Sequence, residues 1–344
     1  MSVILLFSLA LLGEKMALIL VLFGLTLGVA AYSTWGERKV AAFMQDRLGP
    51  SRAGWGGLLQ PLADGAKMFT KEDFIPKAAE RGLFILAPGA FMFVALMTSA
   101  VIPWGTQLTW FEHPVALQVA DINIGILYIM GFTSLGVYGI MIGGWASNNK
   151  FSLYGAIRAS AQMVSYELAM GLAIISIVML TGTLSLREIA AQQAGFNWNI
   201  WYQPLGFLLF FVCSLAECNR APFDMAECET ELIGGYHTEY SSMKLGFYLF
   251  AEYINMFISC AVISTVYFGG YNFPGIDPGW LGGLVGPVVL LSKTFFFIFV
   301  FMWIRWTIPR FRYDQLMRLG WKSLIPLAIL NMVLTGAGVL LFEK

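Results

Sequence analysis

The 344-residue sequence has few charged side chains and few of the groups that hold redox cofactors. Only 12% of its residues are Asp, Glu, Lys or Arg, and only two are His; an average soluble protein has roughly 25% charged residues. The formal net charge is zero, so the composition does not indicate nucleic acid as a partner. The sequence has no glycine-rich dinucleotide motif, P-loop, haem-attachment motif or cysteine set for iron–sulfur ligation. We therefore expect no bound flavin, haem or iron–sulfur cluster in this chain, and no metal site.

The cysteines and the N-terminal residues argue against a disulfide-linked protein and against a secretory signal. Four cysteines lack C-x-x-C spacing and a nearby His: Cys213, Cys218, Cys228 and Cys260. This pattern is typical of packing residues and predicts no disulfide framework. The first 12 residues contain no basic segment, so we expect no secretory signal.

Long apolar runs are abundant instead. Hydrophobic residues make up 58% of the chain and the mean hydropathy is +0.70. A bilayer span needs roughly 20 apolar residues. Eight segments are predicted to cross: 16–35, 82–102, 122–146, 160–181, 204–217, 246–268, 283–304 and 323–342. The fifth is the shortest and should need residues from the stretch that follows. For the first, the alternative is a start near Val3, with Glu14-Lys15 as a bend or interfacial point. The sequence thus predicts an all-α, polytopic membrane protein with residues 1–344 as one transmembrane domain.

The distribution of basic residues predicts the orientation. The connections on one side, mainly 37–81, 217–245 and 305–322, contain 17 Lys and Arg residues in total. The other side has three. Because basic loops stay inside, we expect these connections on the cytoplasmic side and both termini outside. We find no chemistry in the outer loops.

The first inside connection contains a helical pattern. Leu58, Leu62 and Phe69 recur on one face, while Gln60 and Asp64 fall on the other. This pattern predicts an amphipathic helix at the membrane interface. A surface helix docked on the spans would show the same pattern.

The stretch 217–245 concentrates acids beside the membrane. It contains Glu217, Asp224, Glu227, Glu229, Glu231 and Glu239, against only Arg220 and Lys244. Carboxylates this close raise one another's pKa, which favours proton exchange near neutral pH. Arg220 is expected to keep one carboxylate charged. The alternative is a solvated acidic loop, and His237 is either a proton carrier or structural.

Three ionisable residues lie inside predicted spans: Glu167, Glu252 and Lys293. A charge at the bilayer centre costs about 3 kcal/mol, so such residues usually mark a path through the bundle. The alternative is pairing that serves packing. Glu167 lies on the same half of the membrane as the acidic stretch, which favours a functional role. The roles of Glu252 and Lys293 stay open, a counter-ion being one possibility for Lys293.

Three long runs resemble one protein family in order along the chain: GERKVAAFMQDRLGPSRAGWGGLLQPLADGAKMFTKED from Gly36, GWASNNKFSLYGAIRASAQMVSYEL from Gly144 and AECNRAPFDMAECETEL from Ala216. They are similar to the membrane subunit of the H type (chain 1 type) of proton-pumping NADH:quinone oxidoreductase, complex I. The resemblance covers nearly the whole chain. It implies eight transmembrane helices and a chamber where quinone, the substrate, meets an iron–sulfur cluster that another subunit carries.

The resemblance also implies site residues. The acids of the chamber floor and proton path fall on Glu217, Asp224, Glu227, Glu229 and Glu231. Glu167 falls on the buried glutamate that continues the path, while Arg38, Gln60, Asp64 and Arg220 fall at the quinone mouth and chamber. Cys218 and Cys228 depart from the family pattern.

The same resemblance implies partners: iron–sulfur subunits of the peripheral arm, antiporter-like and small membrane subunits, and the bilayer of a bacterial inner membrane. Two alternatives remain. The equivalent subunit of a membrane-bound hydrogenase or formate hydrogenlyase would resemble this chain, although the full acid set favours a quinone enzyme. A free-standing transporter would need broken helices repeated between halves, which we do not find.

Overall fold

The structure is a computed structural model that describes residues 2–109, 114–225 and 232–342. Within these residues α-helices dominate. In chain order they are α1 (Ser2–Met44), α2 (Gln60–Thr70), α3 (Arg81–Thr98), α4 (Gly125–Ala146), α5 (Lys150–Thr181), α6 (Leu186–Gln192), α7 (Asn199–Tyr202), α8 (Pro204–Glu217), α9 (Ser242–Tyr267), α10 (Val285–Thr307), α11 (Tyr313–Leu319) and α12 (Ile325–Phe342).

The remaining regular elements are short. Strands β1 (Gln107–Leu108) and β2 (Val115–Ala116) form one antiparallel pair. Single 3₁₀ turns cover Trp55–Gly57, Ser99–Val101, Gly235–His237 and Trp280–Gly283, and a π-helical turn, Gly320–Leu324, joins α11 to α12. The prediction of an all-α polytopic fold is confirmed.

Seven of the eight predicted spans coincide with helices that are long and apolar enough to cross a membrane. The predicted fifth span corresponds to α8, which has 14 residues and is shorter than a full crossing. α8 ends at Glu217, so the helix takes no residue from the acidic stretch beyond that position. α1 is one continuous helix of 43 residues, and Glu14-Lys15 does not interrupt it. Lys15 instead donates to two backbone carbonyls of the loop between α3 and α4, those of Gln118 (3.1 Å) and Val119 (3.2 Å).

Local signals fix the ends of α5, the helix that carries Glu167. The Asn149 side chain accepts a hydrogen bond from the Phe151 backbone N–H (3.0 Å), as a helix N-cap does. At the other end Gly182 has a φ of 70°, the left-handed conformation that favours glycine after a helix. Glu167 is therefore set near the middle of a helix with defined ends.

α9 lies at the centre of the bundle. It packs against α1, α3 and α10, while α5 packs against α4, α8 and α12. About 72% of the apolar stretch of α9 is buried inside the protein, against 22% for the first and last spans. The ionisable groups of α9 therefore face protein and not lipid.

α2 lies at one end of the bundle, against α1 and α9. Its Leu62 and Phe69 are exposed, whereas Pro61 is buried at the start of the helix. An apolar face directed away from the protein is what an interfacial helix presents to lipid. The interfacial interpretation is therefore preferred to a helix docked through its apolar face.

Candidate functional site

A cavity of about 270 Å³ opens where α1, α2, α9 and the end of α10 meet. Its wall is rich in charged side chains: Glu37, Arg38, Asp64, Lys67, Arg220, Glu252 and Arg305. Three of the predicted chamber residues, Arg38, Asp64 and Arg220, are therefore brought together. We refer to this space as the chamber cavity.

Glu37 is the buried centre of the charged wall. Its carboxylate forms ion pairs with Arg220 (3.2 Å) and Arg305, and accepts a hydrogen bond from the Tyr253 hydroxyl (2.7 Å). Glu37 is only 5% exposed. A buried carboxylate is tolerated when cations and donors surround it in this way.

Arg220 joins this centre to α9. Its guanidinium carbon lies 3.8 Å from the centroid of the Tyr253 ring, a cation–π contact, and the arginine also interacts electrostatically with Glu252. Glu252 in turn accepts a hydrogen bond from the buried Tyr236 hydroxyl (3.2 Å). Arg220 thus pairs with Glu37, which is 183 positions away along the chain.

A second contact ties α1 to the interfacial helix. Arg38 forms an ion pair with Asp64 (2.8 Å), whose other oxygen accepts a hydrogen bond from the Gln60 side chain (3.1 Å). The Arg38 side chain is 48% exposed and that of Asp64 is 25% exposed. The three predicted mouth residues therefore form one polar cluster at the rim of the chamber cavity.

Glu167 and Glu217 lie together deeper in the bundle. Ser134 of α4 donates a hydrogen bond to Glu167, and the adjacent Thr133 interacts with Glu217. The two carboxylates are close enough to interact electrostatically. Glu217 also lines a narrow cavity of about 30 Å³, space for roughly one water molecule.

Cys218 lies between the two cavities. It is within electrostatic reach of Glu217 on one side and of Arg220 and Glu252 on the other. Its sulfur also contacts the hydroxyl of Ser259 (3.6 Å). Burial raises the pKa of the Cys218 thiol to about 12, so the thiol stays protonated at neutral pH. A small neutral side chain therefore lies between the charged chamber wall and the buried Glu217 carboxylate.

Asp224 is the second acid of the acidic stretch. It is 2% exposed and pairs with Arg310 (3.2 Å), which lies beyond α10. Gln162 holds the preceding loop by donating to the carbonyls of Ala216 (2.7 Å) and Phe223 (2.7 Å). The loop after α8 is therefore fixed against α5 and is not a loose, solvated loop in this part.

Three of the predicted acids, Glu227, Glu229 and Glu231, lie outside the described residues, as does Cys228. Their roles stay predictions. The other three cysteines, Cys213, Cys218 and Cys260, are buried and unbridged. His237 packs edge-on against the ring of Tyr236. In the described parts of the chain no cluster of His, Cys, Asp and Glu is arranged to hold a metal ion.

Lys293 occupies the opposite end of the bundle. Its ammonium donates to the carbonyls of Phe268 (2.7 Å), Gly270 (2.9 Å) and Asn272 (2.6 Å), just after α9 ends. The ring of Trp198 lies 5.3 Å from the same nitrogen. These partners are backbone dipoles and an aromatic face, so the contacts do not support the counter-ion interpretation.

Sequence reasoning missed Glu37, Arg305 and Tyr253. Glu37 directly precedes the predicted Arg38, and its only signal was position: an acid that continues an apolar helix beyond the predicted end of the span. The longer α1 places Glu37 inside the bundle instead of in a loop. Tyr253 had a similar signal, as the neighbour of Glu252.

Comparison with known proteins gives a consistent family. A family model described as NADH dehydrogenase matches residues 16–336. The chain is 63% identical to the H subunit of the NADH-quinone oxidoreductase of Flavobacterium johnsoniae over 335 residues, covering 95% of each chain. It is 62% identical to the H 1 subunit of the same enzyme in Cytophaga hutchinsonii, covering 96% of this chain and 97% of the relative. It is 50% identical to the H 1 subunit of Geobacter sulfurreducens, covering 94% of each chain. This chain belongs to the NADH dehydrogenase family of membrane subunits.

Proposed function

We propose that this chain is the quinone-chamber and coupling subunit of a proton-translocating NADH:quinone oxidoreductase, complex I. The observation that carries this proposal is a series of ionisable groups that runs from a half-exposed rim to the buried Glu37, Arg220, Glu252 and Glu217. It begins at the Arg38–Asp64 rim, continues through Glu37, Arg220 and Glu252, and reaches Glu217 and Glu167. Seven helices in the part of the chain that the structure describes are long and apolar enough to cross a membrane.

The rim and the chamber cavity are suited to guide a quinone from lipid. The interfacial helix α2 presents Leu62 and Phe69 outward. Its Asp64 lines the cavity and forms an ion pair with Arg38. A quinone has polar carbonyl oxygens on an apolar body, so a cavity with cationic and hydroxyl donors suits its head. Arg38 is the donor that we assign to this step, with Gln60 and Asp64 holding the rim.

Quinone reduction supplies the driving force for proton exchange. A quinone that takes up two electrons also takes up two protons to become the quinol. Charge that develops about 4 Å from a carboxylate changes its energy by roughly 4 kcal/mol at an effective dielectric of 20, about three pKa units. Arg220 interacts electrostatically with both Glu37 and Glu252, and Cys218 with both Glu252 and Glu217, so we propose that these three carboxylates respond to the charge on the quinone.

From Glu217 the proton passes to Glu167. The Thr133 and Ser134 hydroxyls lie beside the two carboxylates, and the narrow cavity at Glu217 has room for a bridging water. Asp224, Glu227, Glu229 and Glu231 are proposed to extend the acidic surface toward the peripheral arm.

Electrons must come from elsewhere in the complex, since the chain has no sequence motif for a redox cofactor. We propose iron–sulfur subunits of the peripheral arm as donors and antiporter-like and small membrane subunits as neighbours in the bilayer. The three relatives are all named quinone oxidoreductase subunits, which favours this assignment over the hydrogenase alternative. Ubiquinone and menaquinone both fit the proposal.

The chain is a multi-pass protein of a bacterial membrane. We further propose that it forms one transmembrane domain, residues 1–344, with 37–81, 217–245 and 305–322 on the cytoplasmic side and both termini outside. The presence of 17 basic residues on that side, against three on the other, supports this orientation.

The test is Glu167→Gln in an assembled complex within inverted membrane vesicles. This change keeps the shape of the side chain and removes its proton exchange. We expect NADH-driven proton uptake and quinone-dependent turnover to fall at least tenfold, while NADH oxidation by an artificial acceptor persists. Glu188→Gln is the matched control, because Glu188 is a glutamate of α6, outside the span-length helices. Unchanged proton uptake in Glu167→Gln, with normal subunit content, contradicts the proposal.

A further inference from the structure

An apolar groove of about 460 Å³ runs between α1 and α10 on the outside of the bundle. Gly28, Tyr32 and Trp35 line it from α1, and Phe295, Phe299 and Met302 line it from α10. The chamber cavity lies against the other face of α1, where Ala31, Thr34 and Arg38 contribute to its wall. One helix therefore separates the two spaces.

The groove has the length of one lipid leaflet. It extends along α1 from Gly28 to Val40, which at 1.5 Å per residue is about 18 Å. Half of a hydrocarbon core about 30 Å thick is about 15 Å. The groove is open at Gly28, since a Cβ added there would meet no atom within 4 Å. It thus fits a chain that lies parallel to α1 through one leaflet.

A basic residue lies at the mouth of the groove. Gly28, Tyr32, Trp35 and Lys39 follow one another at helical spacing on one stripe of α1. The Lys39 ammonium is 6.0 Å from the centroid of the Trp35 ring, and it forms no ion pair with any residue that the structure describes. The Trp35 indole donates to the Gly56 carbonyl (3.4 Å) of the loop before α2. An aromatic belt with an unneutralised lysine is suited to a negatively charged headgroup at the interface.

We propose that this groove binds an anionic phospholipid of the leaflet next to α2. One acyl chain lies between α1 and α10, and the phosphate pairs with Lys39. The lipid supports the α1 wall from the side opposite Glu37 and Arg38. The lipid site stands on the groove and on Lys39; only its effect on quinone rests on the proposed function.

The direct test counts lipids on the intact complex by native mass spectrometry after delipidation, with phosphatidylglycerol or phosphatidylcholine added back. Gly28→Leu fills the groove where it is open and should remove one tightly bound phospholipid. Lys39→Gln should lower the preference for phosphatidylglycerol about fivefold, the effect of one basic residue near an anionic headgroup. Lys71→Gln, at the end of the interfacial helix, is the matched control and should change neither result. Unchanged lipid retention in Gly28→Leu, or an unchanged preference in Lys39→Gln, overturns the proposal.

A photocrosslinking benzoylphenylalanine at Tyr32 distinguishes the occupant. Crosslinks to phospholipid support the proposal, whereas crosslinks to another subunit overturn it, because they identify a transmembrane helix in the groove. A last measurement separates this site from the chamber. Phosphatidylglycerol should lower the KM for quinone about threefold in the delipidated wild-type complex and not in Gly28→Leu. If phosphatidylglycerol binds but does not change the KM for quinone, the proposal that the lipid supports the α1 wall of the chamber is overturned. The proposed quinone function is then unaffected.

Discussion

The two ends of the bundle bury polar side chains by different means. At the end near α2, Glu37 meets Arg220 and Arg305, and all three carry charge. At the opposite end, where α7 and α8 meet, buried amides and hydroxyls pair without charge. Gln203 donates to Thr335 (2.5 Å), and Asn331 donates to the Gln203 amide oxygen (3.0 Å). The neutral network satisfies its groups at a lower desolvation cost than the charged one.

This difference indicates which polar groups serve packing and which serve chemistry. Neutral hydrogen bonds between membrane helices contribute about 0.6 kcal/mol each and are enough to fix neighbouring helices. A buried ion pair is weak evidence for stability, because its desolvation penalty offsets most of its attraction. Charges retained around Glu37 are therefore better explained by a function that needs charge to move or to be sensed.

Lys293 is the exception at the neutral end. It is charged, yet three backbone carbonyls and an aromatic ring surround it. The carbonyls follow the C-terminus of α9, where the helix dipole is negative. The arrangement is that of a cap on α9, so we expect Lys293 to act on stability and not on proton transfer.

The largest effect is expected for Arg220→Met. This change leaves Glu37 and Glu252 without their shared cation in a buried site, where removal of one partner costs about 3 kcal/mol or more. We expect quinone-dependent turnover to fall at least tenfold in assembled complex, measured against artificial-acceptor activity. Arg220→Lys keeps the charge and should retain part of the turnover, with a loss from the missing contact over the Tyr253 ring. Equal losses in both activities would instead indicate a defect of assembly.

A smaller effect of a different kind is expected for Lys293→Met. The change leaves the carbonyls of Phe268, Gly270 and Asn272 without their donor, at a cost of about 1–3 kcal/mol. The yield and thermal stability of the complex should fall, while turnover per assembled complex stays within twofold of wild type. Lys293→Arg should recover part of the stability. A loss of proton pumping per electron, at normal stability, would place Lys293 on a proton path.

Gln203→Leu is expected to have a milder effect on stability alone. It removes one hydrogen bond from each of the Asn331 and Thr335 side chains, which keep their bonds to the Ser176 hydroxyl and the Asn331 carbonyl, and neutral membrane hydrogen bonds of this kind contribute about 0.6 kcal/mol each. Thermal unfolding of the purified complex should shift by a few degrees with unchanged quinone turnover. A turnover loss larger than that of Lys293→Met would show that the neutral end takes part in coupling.

The sequence predicted the secondary-structure elements better than the contacts between them. Apolar runs and helical spacing identified the spans and α2, because periodicity is a local property. The partner of Arg220 was not predictable, since Glu37 lies 183 positions away and only packing brings them together. Likewise Arg310 meets Asp224 across 86 positions. For Glu167 the sequence predicted only a position on the same half of the membrane as the acidic stretch, and packing brings its carboxylate within electrostatic reach of Glu217.

The smallest effect is expected at the rim of the chamber cavity, where Arg38 pairs with Asp64. Because the Arg38 side chain is 48% exposed, solvent screens the pair, and its loss is worth about 1 kcal/mol or less. Arg38→Ala should therefore raise the KM for short-chain quinones about threefold to fivefold and leave artificial-acceptor activity unchanged. Asp64→Asn, which keeps the hydrogen bond with Gln60 within reach, should raise it less, since Arg38 would still line the cavity. If Arg38→Ala instead lowered turnover as far as Arg220→Met does, the rim and the buried centre would act as one unit, and the distinction between quinone guidance at Arg38 and charge sensing at Glu37 would be lost.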